Sequence, residues 1–136
     1  MTYAGGQAVT TRVSNLSAYG FNIAMQEQES LSDGHRAETL GWIAIERGIG
    51  TEGGRRIEVI ESSADHTPTL LNYNQNFRRR FMTVLGDMST TNEIDSATVG
   101  VSSESASGAE FFIREEQSLD AETDHAVENI SVFAAE

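Results

Sequence analysis

Six carboxylates, Glu115, Glu116, Asp120, Glu122, Asp124 and Glu128, fall within 14 consecutive residues, with His125 among them. Like charges held so close repel one another, and a hard cation relieves that repulsion through oxygen ligands at flexible geometry. Calcium is therefore the expected cofactor of this segment, although the spacing is not that of an EF-hand loop. The competing reading is a solvated acidic rim. An earlier stretch offers Glu27, Glu29, Asp33 and Glu38 in the same order. His-x-x-Glu occurs twice, as His35/Glu38 and His125/Glu128. On a helix this spacing puts both side chains on one face, and on a strand on opposite faces. At the entry to a strand the imidazole bonds its glutamate or the backbone, so His35, Glu38 and His125 are expected to pin turns. Zinc would require further nitrogen or sulfur donors, and the one remaining histidine is His66.

Arg78, Arg79 and Arg80 form the single basic run. Guanidinium groups grip carboxylate or sulfate in bidentate fashion, which suits an acidic polysaccharide. The alternative is neutralisation of acidic neighbours. Tyr19 and Trp42 have rings that stack on sugars, but Trp42 sits in an apolar alternation that reads as core. Enzymatic arrangements are missing: there is no nucleophile elbow, phosphate loop or cysteine–histidine pair. Scattered carboxylates alone do not make a glycosidase. No catalytic residue is assigned.

These residues must be positioned by a repeated unit. Residues 10–31 align without gaps to residues 98–119, with nine of 22 pairs identical, among them Gly20/Gly108, Glu27/Glu115 and Ser30/Ser118. After a two-residue insertion His35 falls on His125, Glu38 on Glu128, and Glu46 on Glu136. The second occurrence has a long lead-in and the first has almost none. The expected organisation is the C-terminal part of a first repeat over residues 1–50 and a complete second repeat over residues 51–136.

Period-two alternation runs through both. It predicts strands over Val9–Val13, Phe21–Met25, Leu40–Glu46, Arg56–Glu61, Arg80–Leu85, Ala97–Val101, Ala109–Ile113 and Ile130–Ala135. Leu40–Glu46 and Ile130–Ala135 read as covered on both faces. In Arg56–Glu61 the apolar face is Ile57 and Val59. Turn signals separate these segments, and the glycine-rich Gly48–Gly54 marks the junction of the units. Pro68 sits near the start or edge of a strand. No segment keeps a helical period over ten residues. The expected fold is all-β, an antiparallel β-sandwich built from a duplicated unit whose first copy is incomplete.

Composition narrows the partners. The chain carries 21 acids and nine bases, all arginine, for a formal charge of −12. Nucleic acid and anionic membrane surfaces both require a basic face. Without cysteine, neither disulfides nor thiolate metal sites are available. No stretch approaches the roughly 18 apolar residues of a membrane span, and the first residues do not read as a signal peptide.

With these residues laid out, the chain resembles H-type-lectin-like β-sandwich repeats of large secreted proteins of marine bacteria and cyanobacteria. The resemblance rests on Thr2, Gly5-Gly6, Arg12, Gly20-Phe21, Glu27, Glu29, Ser30, Asp33, His35, Glu38 and Gly41–Glu46, and in the second stretch on Thr90, Gly108, Glu115, Glu116, Ser118, Asp120, His125 and Glu128. Gly100 and Ala109 depart from it, standing where Arg12 and Phe21 do. It implies a sugar-binding sandwich, often trimeric. The expected function is an extracellular, non-catalytic glycan-binding or adhesion module, with Arg12, Tyr19, Arg78, Arg79 and Arg80 as ligand-binding residues. The alternative is a structural subunit of an extracellular assembly or filament, completed by strand exchange between chains. Either way a homo-oligomer is expected.

Overall fold

The computed structural model describes residues 2, 4–31, 33–78 and 82–136. Arg79 and Arg80, two of the expected ligand-binding residues, lie outside them. The fold is all-β: β1 (Val9–Ser17), β2 (Gly20–Glu27), β3 (Gly48–Glu52), β4 (Arg55–Ala64), β5 (Thr69–Asn72), β6 (Thr83–Met88), β7 (Ala97–Ser105), β8 (Gly108–Glu115) and β9 (Glu128–Ala135). Every pairing is antiparallel. Two sheets, ordered β3-β4-β9-β6 and β5-β8-β7, form a sandwich, and β1-β2 is a separate hairpin.

The core lies where the inner faces of β8 and β9 meet. Ala109, Phe111, Ile113, Ile130, Val132 and Ala134 are buried there beside Met88, Ala97 and Ala64. Both strands bury every second residue, as a pleated strand against one layer requires. Complete burial of a side chain such as Phe111 or Ile130 contributes about 1.5–3 kcal/mol.

The two hairpins share a register. Val9↔Glu27, Thr11↔Met25, Val13↔Ile23 and Ser17↔Gly20 in β1-β2 correspond to Ala97↔Glu115, Val99↔Ile113, Val101↔Phe111 and Ser105↔Gly108 in β7-β8. Each has one break in register, between Ser14 and Ser17 in β1 and between Val101 and Ser103 in β7. The residues that align in sequence thus also pair alike.

Three expectations change. Gly48–Gly54 is not a junction: Gly48–Glu52 is β3, and Gly53 and Gly54, at φ 56° and 76°, make the two-residue turn into β4. Positive φ at both central positions gives a turn whose twist matches the strands, and glycine adopts it without strain. Gly48–Glu52 thus forms an edge of the β3-β4-β9-β6 sheet. In β4 the buried face is Glu58 and Ala64, with Ile60 against the core, rather than Ile57 and Val59. Glu58 is retained inside because its Oε1 accepts the Asn74 backbone N–H (2.9 Å) and side-chain amide (2.7 Å). Val59 pairs with Phe133, which pairs with Leu85, on the opposite face. Finally, residues 40–46 are not covered on both sides. Among the described residues they join no sheet, and Trp42, Ile43 and Ile45 are 64 %, 86 % and 51 % exposed. Their counterpart β9 lies between β4 and β6. Trp42 keeps one aromatic contact, edge-on to Phe21 at 5.4 Å.

Candidate functional site

The convergence of buried charge lies at the mouth of the sandwich, between β1, the end of β8 and the start of β9. Glu128 opens β9 with its side chain fully buried. Its carboxylate accepts hydrogen bonds from Arg12 Nη2 (2.9 Å), Asn92 N (2.8 Å), Glu93 N (3.3 Å) and the Thr90 hydroxyl. A buried carboxylate needs such a set, because an uncompensated charge there costs several kcal/mol. Arg12 comes from β1 and also donates through Nη1 to Gln26 Oε1 and the Asp95 carbonyl, both at 3.2 Å. With Gln26 donating to the Ile94 carbonyl and Glu116 accepting from Glu29 N (2.9 Å), these contacts fasten the β1-β2 hairpin to the sandwich.

His125, in the segment before β9, is wholly enclosed. Its Nδ1 lies 3.1 Å from Glu115 Oε1 and 3.6 Å from Glu93 Oε2, and its Nε2 lies 3.5 Å from Glu128 Oε1. A parallel arrangement surrounds His35, whose Nε2 is 3.2 Å from Glu38 Oε1 and Nδ1 3.7 Å from Glu27 Oε1. The Thr2 hydroxyl and Ala4 N donate to Glu38, as the Thr90 hydroxyl and Asn92 N do to Glu128. Thr39 N and Asn129 N each donate to the matching threonine oxygen at 2.8 Å. The difference is Glu93, whose counterpart is Gly5. A Cβ on Gly5 would lie 2.1 Å from His35 Cε1, so the imidazole fills the space a side chain would need.

Electrostatics follow from these contacts. The Thr2 hydroxyl, then the Ala4 amide and His35, hold Glu38 at about 2, below its ordinary 4.5. The Ser118 hydroxyl pulls Glu116 down. Burial, reinforced by Asp95 and Glu116, pushes Glu29 up, and Glu115 followed by burial pushes Glu122 up. Glu38 sets a pH window. A depressed carboxylate stabilises the fold above its unfolded value and loses that contribution as pH falls through the folded one. Docking of the Thr2–Ala4 segment is therefore expected to persist below pH 4.5 and to be released as pH approaches about 2. Amide chemical shifts of Ala4 and Thr39 followed through acid titration check this, and Glu38→Gln should flatten both curves.

The residues singled out from sequence separate into distinct places. Of the six acidic candidates, Glu115 and Glu128 flank His125. Glu116 accepts from Ser118 (2.6 Å), Asp120 accepts from Glu122 N (2.9 Å), and exposed Asp124 lies 3.4 Å from His66. The three donors that gather within 4.8 Å are Glu93, Glu115 and His125. Among the expected sugar-contacting residues, Arg12 is committed to Glu128 inside the protein, Tyr19 stands fully exposed at the β1-β2 tip, and Arg78 N donates to Glu136. They are not brought together. Sequence reading missed Glu93 and the span from Arg12 to Glu128; Thr2 and Thr90 were visible in the repeat and mark where each glutamate is received.

Fold and site define an all-β antiparallel sandwich with a buried carboxylate–imidazole–carboxylate cluster fastening an extra hairpin. Comparison with protein-family models, with curated proteins and with solved structures gives no match for this chain.

Proposed function

We propose that this protein is a structural subunit of an extracellular assembly whose copies join by strand pairing through residues 40–46. The observation that carries the reading is the contrast between two matching segments. Residues 130–135, in β9, hydrogen bond to β4 on one side and β6 on the other. Residues 40–46 have the same alternation, yet no ladder partner among the described residues. Open peptide groups beside exposed Trp42, Ile43 and Ile45 invite strand addition. A second copy supplies a fitting edge in β3, whose five residues are all exposed and include neither proline nor lysine to block pairing. The resemblance to secreted repeats agrees with an extracellular setting. The formal charge of −12 opposes association, so salt, which shortens electrostatic reach to about 8 Å at physiological strength, should promote it.

Sedimentation velocity over a wide concentration range tests the proposal. The wild type is expected to form chains that lengthen with concentration and with salt. Ala44→Pro removes a backbone donor from a segment outside every sheet, so it should leave the circular dichroism unchanged and the protein monomeric. A wild type that stays monomeric throughout, or a proline variant that still assembles, refutes strand pairing. Binding of a glycan array by such a monomer would instead favour the adhesion reading.

A further inference from the structure

We propose that Glu93, Glu115 and His125 form a binding site for a single divalent transition-metal ion of the zinc class. The site stands apart from the assembly reading. Its donors come from three places in the chain: the loop between β6 and β7, the end of β8, and the segment entering β9. Their ligand atoms all lie within 4.8 Å of one another, with His125 Nδ1 3.1 Å from Glu115 Oε1 and 3.6 Å from Glu93 Oε2. Two donors each about 2.1 Å from one tetrahedral ion are about 3.4 Å apart, so both separations suit a shared ion.

Three further features point to an ion. Glu115 is only 8 % exposed, and its Oε2, shielded from solvent, has no hydrogen-bond partner. Such an orphaned oxygen costs free energy that coordination would recover. His125, 3 % exposed, turns Nε2 toward Glu128 Oε1 at 3.5 Å. Nε2 makes no hydrogen bond there, so the Glu128 carboxylate stands behind the imidazole as an outer charge, on the side that carries the proton in histidines that ligate metal through Nδ1. Glu93 is the third: its Oε2 accepts the Ala126 N–H, which fixes the carboxylate beside the ring, while its side chain stays partly open to solvent as an entry path. Three donors are too few for calcium, which takes six to eight oxygens, and here carboxylate oxygens, which also ligate zinc, take the place of the further nitrogen or sulfur donors expected from sequence. The His35 cluster supplies a control within the same chain. It has two glutamates but Gly5 in place of Glu93, so among the described residues it offers one carboxylate to each ring nitrogen and no third donor.

The test uses the whole chain, stripped with chelator and titrated with zinc chloride by calorimetry, with metal counted after dialysis. One zinc per chain is expected, with a melting temperature that rises on loading and falls back on chelation. Glu93→Gln changes a partly exposed side chain and should keep the apo melting temperature while weakening zinc at least about a hundredfold, since even outer partners of a ligand are worth ten- to a hundredfold. Asp124→Asn, in the same acidic segment but outside the donor set, should bind zinc as the wild type does. Excess calcium should not displace the ion. No bound zinc, two zincs per chain, undiminished affinity in Glu93→Gln, or displacement by calcium would each overturn the assignment.

Discussion

Glu128→Gln is expected to destabilise the protein by about 3–5 kcal/mol, the cost of breaking a buried ion pair by removing one partner. For a chain of this length that corresponds to a fall in Tm on the order of 10–15 °C. The carboxylate is fully buried and accepts from Arg12, Thr90, Asn92 N and Glu93 N. Glutamine keeps one acceptor oxygen, turns an NH2 group against donors, and leaves the Arg12 guanidinium inside the protein without its counter-charge. Arg12→Met is milder, about 1.5–3 kcal/mol, because Glu128 retains its other donors and methionine fills much of the arginine stem. The two differ in what they loosen. Arg12→Met frees the β1-β2 hairpin, so hydrogen exchange should accelerate over residues 9–27 and remain slow in β8 and β9. Glu128→Gln should accelerate exchange in both. Calorimetry with exchange mass spectrometry separates these outcomes, and a Glu128→Gln variant within about 1 kcal/mol of wild type would show that the ion pair contributes little.

Legibility in the sequence followed the range of the interactions. Alternation is local, and it located β1, β2, β4, β7, β8 and β9 and part of β6, while the short strands β3 and β5 gave no such signal. The gapless match of residues 10–31 to 98–119 carried over into hairpin register because pairing across a short turn is also local. Alternation could not say which face of β4 looks inward. An apolar pair at Ile57 and Val59 reads as core, but Glu58 is the buried residue, and the Asn74 donors that permit it arrive only with the fold. The same limit applied to residues 40–46, where the pattern describes a strand fit for two neighbours and says nothing of whether they are there. In the site, His125, Glu115 and Glu128 stood close in sequence and were noticed together. Arg12 meets Glu128 across 116 positions. Glu93 was hidden by the repeat itself, since its aligned position is Gly5 and the comparison drew attention to what the two stretches share.

That asymmetry between matching positions yields a second large effect. Gly108 and Gly20 occupy the same place in the two hairpins, yet Gly108→Ala is expected to cost about 3 kcal/mol, the upper end for overpacking, and Gly20→Ala about 1 kcal/mol or less. A Cβ on Gly108 would lie 2.5 Å from the Leu71 carbonyl oxygen and 3.2 Å from Asn72 Cα, so the obstacle is backbone rather than a side chain that can swing away. Nor can β5 retreat easily. It pairs with β8 from Thr69↔Phe111 to Asn72↔Gly108, and Tyr73 N and Phe77 N donate to the Ser107 and Ala106 carbonyls, both at 2.9 Å. Making room for one methyl therefore means opening the edge of the β5-β8-β7 sheet above Phe111. At Gly20 no atom lies within 4 Å of the corresponding Cβ, so the cost there comes only from the backbone, whose φ of 158° a side chain rarely adopts. The difference arises because β8 has a second neighbour in β5, whereas β2 pairs with β1 alone among the described residues. Urea denaturation of the two variants measures it directly. Equal costs would mean that the β5-β8 contact yields without resistance, whereas a cost confined to Gly108 shows that the close approach of these strands is part of what holds the sandwich closed.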